Sequence, residues 1–178
     1  MWIIKLGGSW INNPKLGYLA KKLCFFKGSK ICLVLGGGVF ADSVRYAQKK
    51  MDFDDAFAHG LAIKATENFG YCLSRINPNI QLTRNIENLF SGKKLKVWLP
   101  YNFLKNESTI KKNWNSTSDT IASWLCNRLD AEGVIYIKSL KFKHKKKIKL
   151  QFLKKKNILD INAQTFFKKK NAVKNCRS

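Results

Sequence analysis

A chain of 178 residues with 45% hydrophobic and 12% aromatic residues has enough apolar material for one globular domain, which excludes a natively disordered chain. No run reaches the roughly 18 to 20 apolar residues of a membrane span, and the first residues lack the charged region, apolar core and small-residue cleavage site of a signal peptide. The net charge of +23 admits polyanionic partners, but its only arginines are Arg45, Arg75, Arg84, Arg128 and Arg177.

The bidentate fork that reads bases and clamps phosphates belongs to arginine. The many lysines, asparagines and isoleucines suggest an AT-rich coding bias. Charge alone therefore supports only non-specific attraction to nucleic acid at low salt. The five cysteines are scattered, with no CxxC pair. They read as reduced, mostly packed thiols in a cytoplasmic protein.

Residues 1–9, MWIIKLGGS, open the chain. Trp2, Ile3, Ile4 and Leu6 form an apolar run broken only by Lys5, the pattern of a buried parallel strand. Gly7 and Gly8 end it with a turn that a ligand's atoms can approach closely. Ser9 can cap a following helix, whose free N–H groups would face the same spot as Lys5. These parts suit a phosphate group, although an ordinary strand and tight turn give the same pattern.

Pro14 suits the first position of a helix, and Leu16, Leu19, Ala20 and Leu23 keep helical spacing as far as Cys24. Ile31–Leu35 is a second continuous apolar strand, so the first third reads as a right-handed βαβ unit. Gly36, Gly37 and Gly38 follow it, then a helix with Phe40, Val44 and Ala47 on one face and Asp42 and Arg45 near its start. Two glycine turns thus leave the carboxyl ends of parallel strands, the edge where open α/β sheets bind ligands.

Asp54 caps a predicted long helix, Asp55–Ile76, with Ala58, Leu61, Ala62, Ala65, Phe69, Cys72 and Leu73 on its apolar stripe. Its small residues would allow close packing, including against another subunit. His59 within it reads as structural. Short strands are predicted at 80–82 and 95–99. WNSTSDT over 114–120 gathers hydroxyls and an acid at a helix start, which Ile121, Ala122, Leu125, Cys126 and Leu129 continue. Thr117 or Ser118 as a cap and Asp119 as a charge at the dipole account for that stretch; a ligand would do so equally. Gly133 opens another buried strand, which delivers Lys138 at its end. Beyond Ser139 come a charge run over 141–149, a candidate edge strand over 148–152 and a candidate short helix over 159–167. Metal-ligand spacing, a GxSxG elbow and a P-loop are all missing.

In this order, KLGGS, the triple glycine, DTIA over 119–122 and Lys138 resemble the amino acid kinase family. Within it, GGGVFADSVRYAQ over 36–48, AHGLAIKATENFGYCL over 58–73 and WNSTSDTIASWL over 114–125 are similar to a branch of one-carbon metabolism. That branch includes the (aminomethyl)furanylmethyl-phosphate kinase of methanofuran biosynthesis. The resemblance implies a three-layer α/β/α sandwich with a mainly parallel central sheet, and a single domain over 1–178. Its acceptor half would be 1–110 and a shortened nucleotide half 111–178. It further implies a homo-oligomer that uses ATP and Mg2+ to phosphorylate an anionic acceptor.

Lys5, with Gly7, Gly8, Ser9 and Lys138, would hold the transferring phosphoryl group. Asp119 would hold the lysines, making Lys5, Asp119 and Lys138 the catalytic set. Gly36, Gly37, Gly38, Arg45, Thr117 and Ser118 would cradle the acceptor. The resemblance implies no metal ligand from the chain. Relatives follow the second lysine with Val-Asp-Gly or similar, whereas here Ser139-Leu140-Lys141 stands. That departure keeps two alternatives open: another enzyme of the family, such as a uridylate kinase, and a non-catalytic ligand-binding or scaffold relative.

Overall fold

A computed structural model describes residues 1–26, 28–139, 150–166 and 172–176. Six strands form one sheet: β1 (Trp2–Leu6), β2 (Ile31–Leu35), β3 (Gln81–Thr83), β4 (Leu95–Trp98), β5 (Gly133–Ile137) and β6 (Ala172–Cys176). They run in the order β3-β4-β2-β1-β5-β6, and every pairing is parallel. The chain runs from β1 to β2, out to the edge strand β3, back to β4 between β3 and β2, and then crosses to set β5 on the other side of β1. That reversal leaves a crevice at the carboxyl end of β1.

The register sets Leu6 opposite both Leu35 and Ile137, so Gly7, Gly36 and Lys138 leave the sheet side by side. All five residues of β2 are buried, as an unbroken apolar strand requires when helices cover both faces. On one face, Ile4, Leu6, Leu33 and Leu35 pack with α1 (Leu16–Cys24) and α3 (Asp55–Ile76) through Leu16, Phe69 and Leu73. On the other, Ile3, Val34, Val134 and Tyr136 pack with α5 (Ser118–Arg128) through Ile121 and Leu125, and with Leu153 of α6 (Leu150–Lys155). These layers make the expected α/β/α sandwich. Helix α2 (Val39–Met51) lies on α3 with none of its residues fully buried, and α4 (Tyr101–Leu104) follows β4.

Several expectations change. Pro14 lies in a turn, and α1 begins at Leu16. Ser9 caps no helix: residues Gly8–Asn12 form a short 3-10 turn directly after Gly7. Residues 150–152 of the candidate edge strand belong to α6, and the stretch after Asp160 holds a 3-10 turn at Ala163–Phe166. Cys72 is exposed rather than part of the packed stripe of α3. The charge run 141–149 and residue 167 lie outside the described residues.

Lys96 escaped the sequence reading. It sits within β4 only 1% exposed, and its ammonium donates to the carbonyls of Asn88 and Ser91 at the end of the 3-10 turn Glu87–Phe90. A buried lysine is tolerated there because carbonyl oxygens replace its water.

Candidate active site

Lys5 points to the α5 face of the sheet because side chains alternate along a strand and its neighbours Ile4 and Leu6 take the other face. Helix α5 meets it with its first turn. Thr117 caps that helix, accepting the Asp119 amide at 3.4 Å, and Asp119 stands 2% exposed against the sheet. The Lys5 ammonium lies 2.9 Å from Asp119 Oδ1, and the Lys138 ammonium donates to Oδ2 at 2.5 Å. One carboxylate therefore serves a buried and a partly buried lysine, whose side chains are 7% and 19% exposed. Burial alone would raise the Asp119 carboxyl, yet the two lysines hold it below the usual carboxylate range. Burial, with repulsion from Lys5, lowers the Lys138 ammonium against the pull of Asp119.

Asp119 is braced from behind. Ser123 Oγ donates to its carbonyl at 2.8 Å and sits 2.6 Å from the Tyr136 hydroxyl. Asp160, which the sequence reading passed over, holds the whole helix start. Its Oδ2 accepts from the Thr117 amide at 2.8 Å, the Thr117 hydroxyl at 2.7 Å and the Thr120 amide at 3.1 Å. Its Oδ1 accepts from the Thr120 hydroxyl at 2.6 Å and the Ala163 amide at 2.8 Å. The positive end of α5 thus meets a carboxylate of its own chain. The available signal was an acid just before a short helix, close to two threonines at another helix start only after folding.

The glycine turns lie back to back. A Cβ on Gly8 would collide with the Gly38 backbone, and one on Gly36 with Gly8. Gly38, at φ +50, starts α2 in a conformation that favours glycine. Mutual approach of the turns therefore accounts for these glycines without a ligand. The Gly7 amide donates to Ile137 O at 2.9 Å and the Gly36 amide to Leu6 O at 2.8 Å, so neither is free for phosphate. Among the described residues nothing accepts the amides of Gly8, Gly37 and Gly38.

A cavity of about 230 Å³ opens beside them. Of the expected site residues, Lys5, Gly8, Gly36, Gly37, Gly38, Arg45, Thr117 and Ser118 line it. The Thr117 hydroxyl already donates to Asp160. Gly7, Ser9, Asp119 and Lys138 lie outside the lining, on the β5 side, where Ser9 Oγ sits 2.7 Å from Ser139 Oγ. Phe40, on the apolar face of α2, packs with the α1–α3 core and does not line the cavity. Trp114 does line it, with the Arg45 guanidinium 3.8 Å over its ring.

His59 also lines the cavity and is 4% exposed. Its Nε2 lies 2.8 Å from the Ser116 carbonyl, which only accepts, so Nε2 carries the proton. Burial lowers its basicity. The expected structural bond is present, together with a place on the wall that was not foreseen. Among the described residues no group of three or more His, Cys, Asp or Glu could hold a metal ion. With Asp119 engaged by lysines and Asp160 by amides and hydroxyls, the expected magnesium has no protein cage there.

No family profile matches the chain. It is 30% identical over 142 residues to the (5-(aminomethyl)furan-3-yl)methyl phosphate kinase of Methanocaldococcus jannaschii, a match covering 76% of this chain and 64% of that protein. The chain thus spans just under two thirds of this curated relative. Among solved structures it is similar to the uridylate kinase of Archaeoglobus fulgidus, with a TM-score of 0.71 at 16% identity over 99% of this chain and 90% of that one. It is also similar to the UMP kinase of Ureaplasma parvum, with a TM-score of 0.64 at 15% identity over 98% and 88%. The fold is that of the amino acid kinases. The curated relative and both solved structures are named as kinases.

Proposed function

We propose that the chain is an ATP-dependent kinase whose acceptor is itself a phosphate monoester, so that a diphosphate forms. One observation carries the reading: Lys5 and Lys138 share the single carboxylate of Asp119 in a largely buried place, so two positive charges meet one negative charge within ion-pair distance. Burying net charge is costly unless a partner neutralises it. A phosphoryl group passing across the carboxyl end of β1 would do so, next to the unused amides of Gly8, Gly37 and Gly38.

Phosphoryl transfer asks a protein mainly for alignment and charge neutralisation. Bound ATP supplies the phosphoryl group. Lys5, between the cavity and the β5 end, would hold the transferring oxygens. Lys138 would hold the leaving side, with Gly7 and Ser9 shaping the turn beside it. Asp119 keeps both ammoniums in place. Arg45, at the mouth of the cavity, would take the acceptor's phosphate, with Ser118 and the triple-glycine turn as its floor. Residues 1–110 supply most of this cavity and residues 111–178 the lysine at the nucleotide side. Operation in the cytoplasm as a homo-oligomer belongs to the same reading; among the described residues no helix is long and apolar enough to cross a membrane.

The curated relative's name points to (5-(aminomethyl)furan-3-yl)methyl phosphate as acceptor. Incubated with ATP, the purified chain is expected to convert it to a diphosphate detectable by mass spectrometry. UMP, glutamate, acetylglutamate and aspartate should react at least ~10-fold more slowly, about 1.4 kcal/mol in transition-state binding. Faster reaction with UMP would replace the acceptor and keep the kinase. No product from any acceptor would favour a non-catalytic relative.

A further inference from the structure

We propose that Gln48, which lies outside the cavity, is a positioning residue that presents Arg45 to the acceptor's phosphate by fixing the ring of Trp114; this rests on the phosphate-acceptor reading above. Gln48 sits near the end of α2, one turn beyond Arg45. Its Oε1 accepts the Trp114 indole N–H at 2.7 Å. Its Nε2 donates to the Phe53 carbonyl at 3.1 Å and to Asp55 Oδ1 at 2.9 Å. Only the amide oxygen can accept from an indole, and only the amide nitrogen can donate to a carbonyl and a carboxylate, so the amide has one orientation. The side chain ties three pieces together: α2, the start of α3, and the segment 105–117 that brings Trp114 over the cavity.

The consequence falls on Arg45. Asp42, three residues earlier on the same helix, is the natural partner for its charge. Yet among the described residues no carboxylate lies within ion-pair distance of the guanidinium. It lies flat over Trp114 instead, 3.8 Å from the ring centroid. Stacking uses the face of a guanidinium and leaves its N–H edge open, and that edge matches two phosphate oxygens. An exposed arginine is otherwise spread over many rotamers, and holding it in one removes that ordering cost from ligand binding. Trp114 is then a shelf for Arg45 and not a stacking partner for the acceptor's ring.

The test uses the full chain with ATP and (5-(aminomethyl)furan-3-yl)methyl phosphate, read as separate KM and kcat values, with calorimetry of the acceptor alone as a second readout. Gln48→Leu should raise the acceptor KM about tenfold, with kcat and the ATP KM changed less than about twofold. Gln48→Glu should do the same, because a carboxylate would face Asp55 and the Phe53 carbonyl. Trp114→Phe keeps a ring face but loses the N–H link; it should show the same split, and serves if a Gln48 variant folds poorly. In an Arg45→Ala background, Gln48→Leu should add nothing. A normal acceptor KM in Gln48→Leu, or a further rise on top of Arg45→Ala, overturns the proposal while leaving the kinase standing. A wild-type chain that neither binds nor phosphorylates any phosphate monoester overturns both.

Discussion

Asp119 carries one negative charge between two ammoniums, and its removal should separate structure from chemistry. Asp119→Asn keeps the shape but leaves Lys5 and Lys138 facing each other, at a cost of about 3–5 kcal/mol near neutral pH. The sign with pH follows from both partners. The depressed Asp119 carboxyl contributes stability that is present above its unfolded value of about 3.9 and lost as pH falls through its folded value. The lowered Lys138 ammonium gives up its proton sooner in the folded chain, so its burdens ease as pH rises toward the ordinary lysine range of about 10.4. The stability gap between wild type and Asp119→Asn, from urea melts across pH, should therefore be widest near neutrality and narrow at both ends. A gap that stays flat would mean that the charges are not coupled. Lys5→Ala, which removes a charge donor to the phosphoryl group, should cost at least ~100-fold in turnover with an unchanged circular dichroism spectrum.

The start of helix α5 is held by Asp160, 40 or more residues away from Thr117 and Thr120, through four hydrogen bonds to those two residues. Asp160→Ala leaves the Thr117, Thr120 and Ala163 amides and two hydroxyls without their acceptor and should destabilise the fold by about 2–4 kcal/mol. Because Thr117 caps the turn that carries Asp119, turnover should fall as well, and Asp160→Asn should recover part of both losses. Calorimetric unfolding beside kinetic assays checks this; equal activity in Asp160→Ala would unlink the brace from the site. Such long-range pairing shows where sequence reading stops. The strands β1, β2 and β5 and the helix α3 were legible from apolar runs, glycine stops and the Asp54 cap, whose side chain accepts the Phe57 amide at 2.8 Å. So was the order of Lys5, Asp119 and Lys138, though their meeting depends on the parallel register. The stretch 148–152 read as a candidate edge strand, but five residues cannot separate the strand and helix periods, and α6 instead buries Leu153 beside Ile158 and Leu159. Asp160 and Gln48 gave no local signal, and His59 none of its place on the cavity wall, since each acts on a residue distant in sequence or facing another element.

Across the whole molecule, the question is whether a chain of net charge +23 holds nucleotide in a site or merely attracts polyanions. The two differ in burial. Exposed lysines lose most of their attraction when salt shortens the Debye length from about 10 Å at 0.1 M to about 3 Å at 1 M. Lys5 and Lys138, at 7% and 19% side-chain exposure, are screened far less. A nucleotide at about 100 times its dissociation constant should stabilise the fold by roughly 2.7 kcal/mol, or some 5–11 °C in melting temperature for a domain of this size. That shift should persist in substantial part at 0.5 M salt. It should collapse in Lys5→Ala, which deletes one charge in thirty-four basic residues and so barely alters the overall attraction. Tripolyphosphate and single-stranded DNA, held by the surface, should stabilise wild type and Lys5→Ala alike at low salt and neither at high salt. Thermal shifts for ATP and these two controls, at 0.05 M and 0.5 M salt on both proteins, distinguish the cases. An ATP shift that vanishes with salt and survives Lys5→Ala would move the nucleotide from the β1 crevice to the lysine-rich surface.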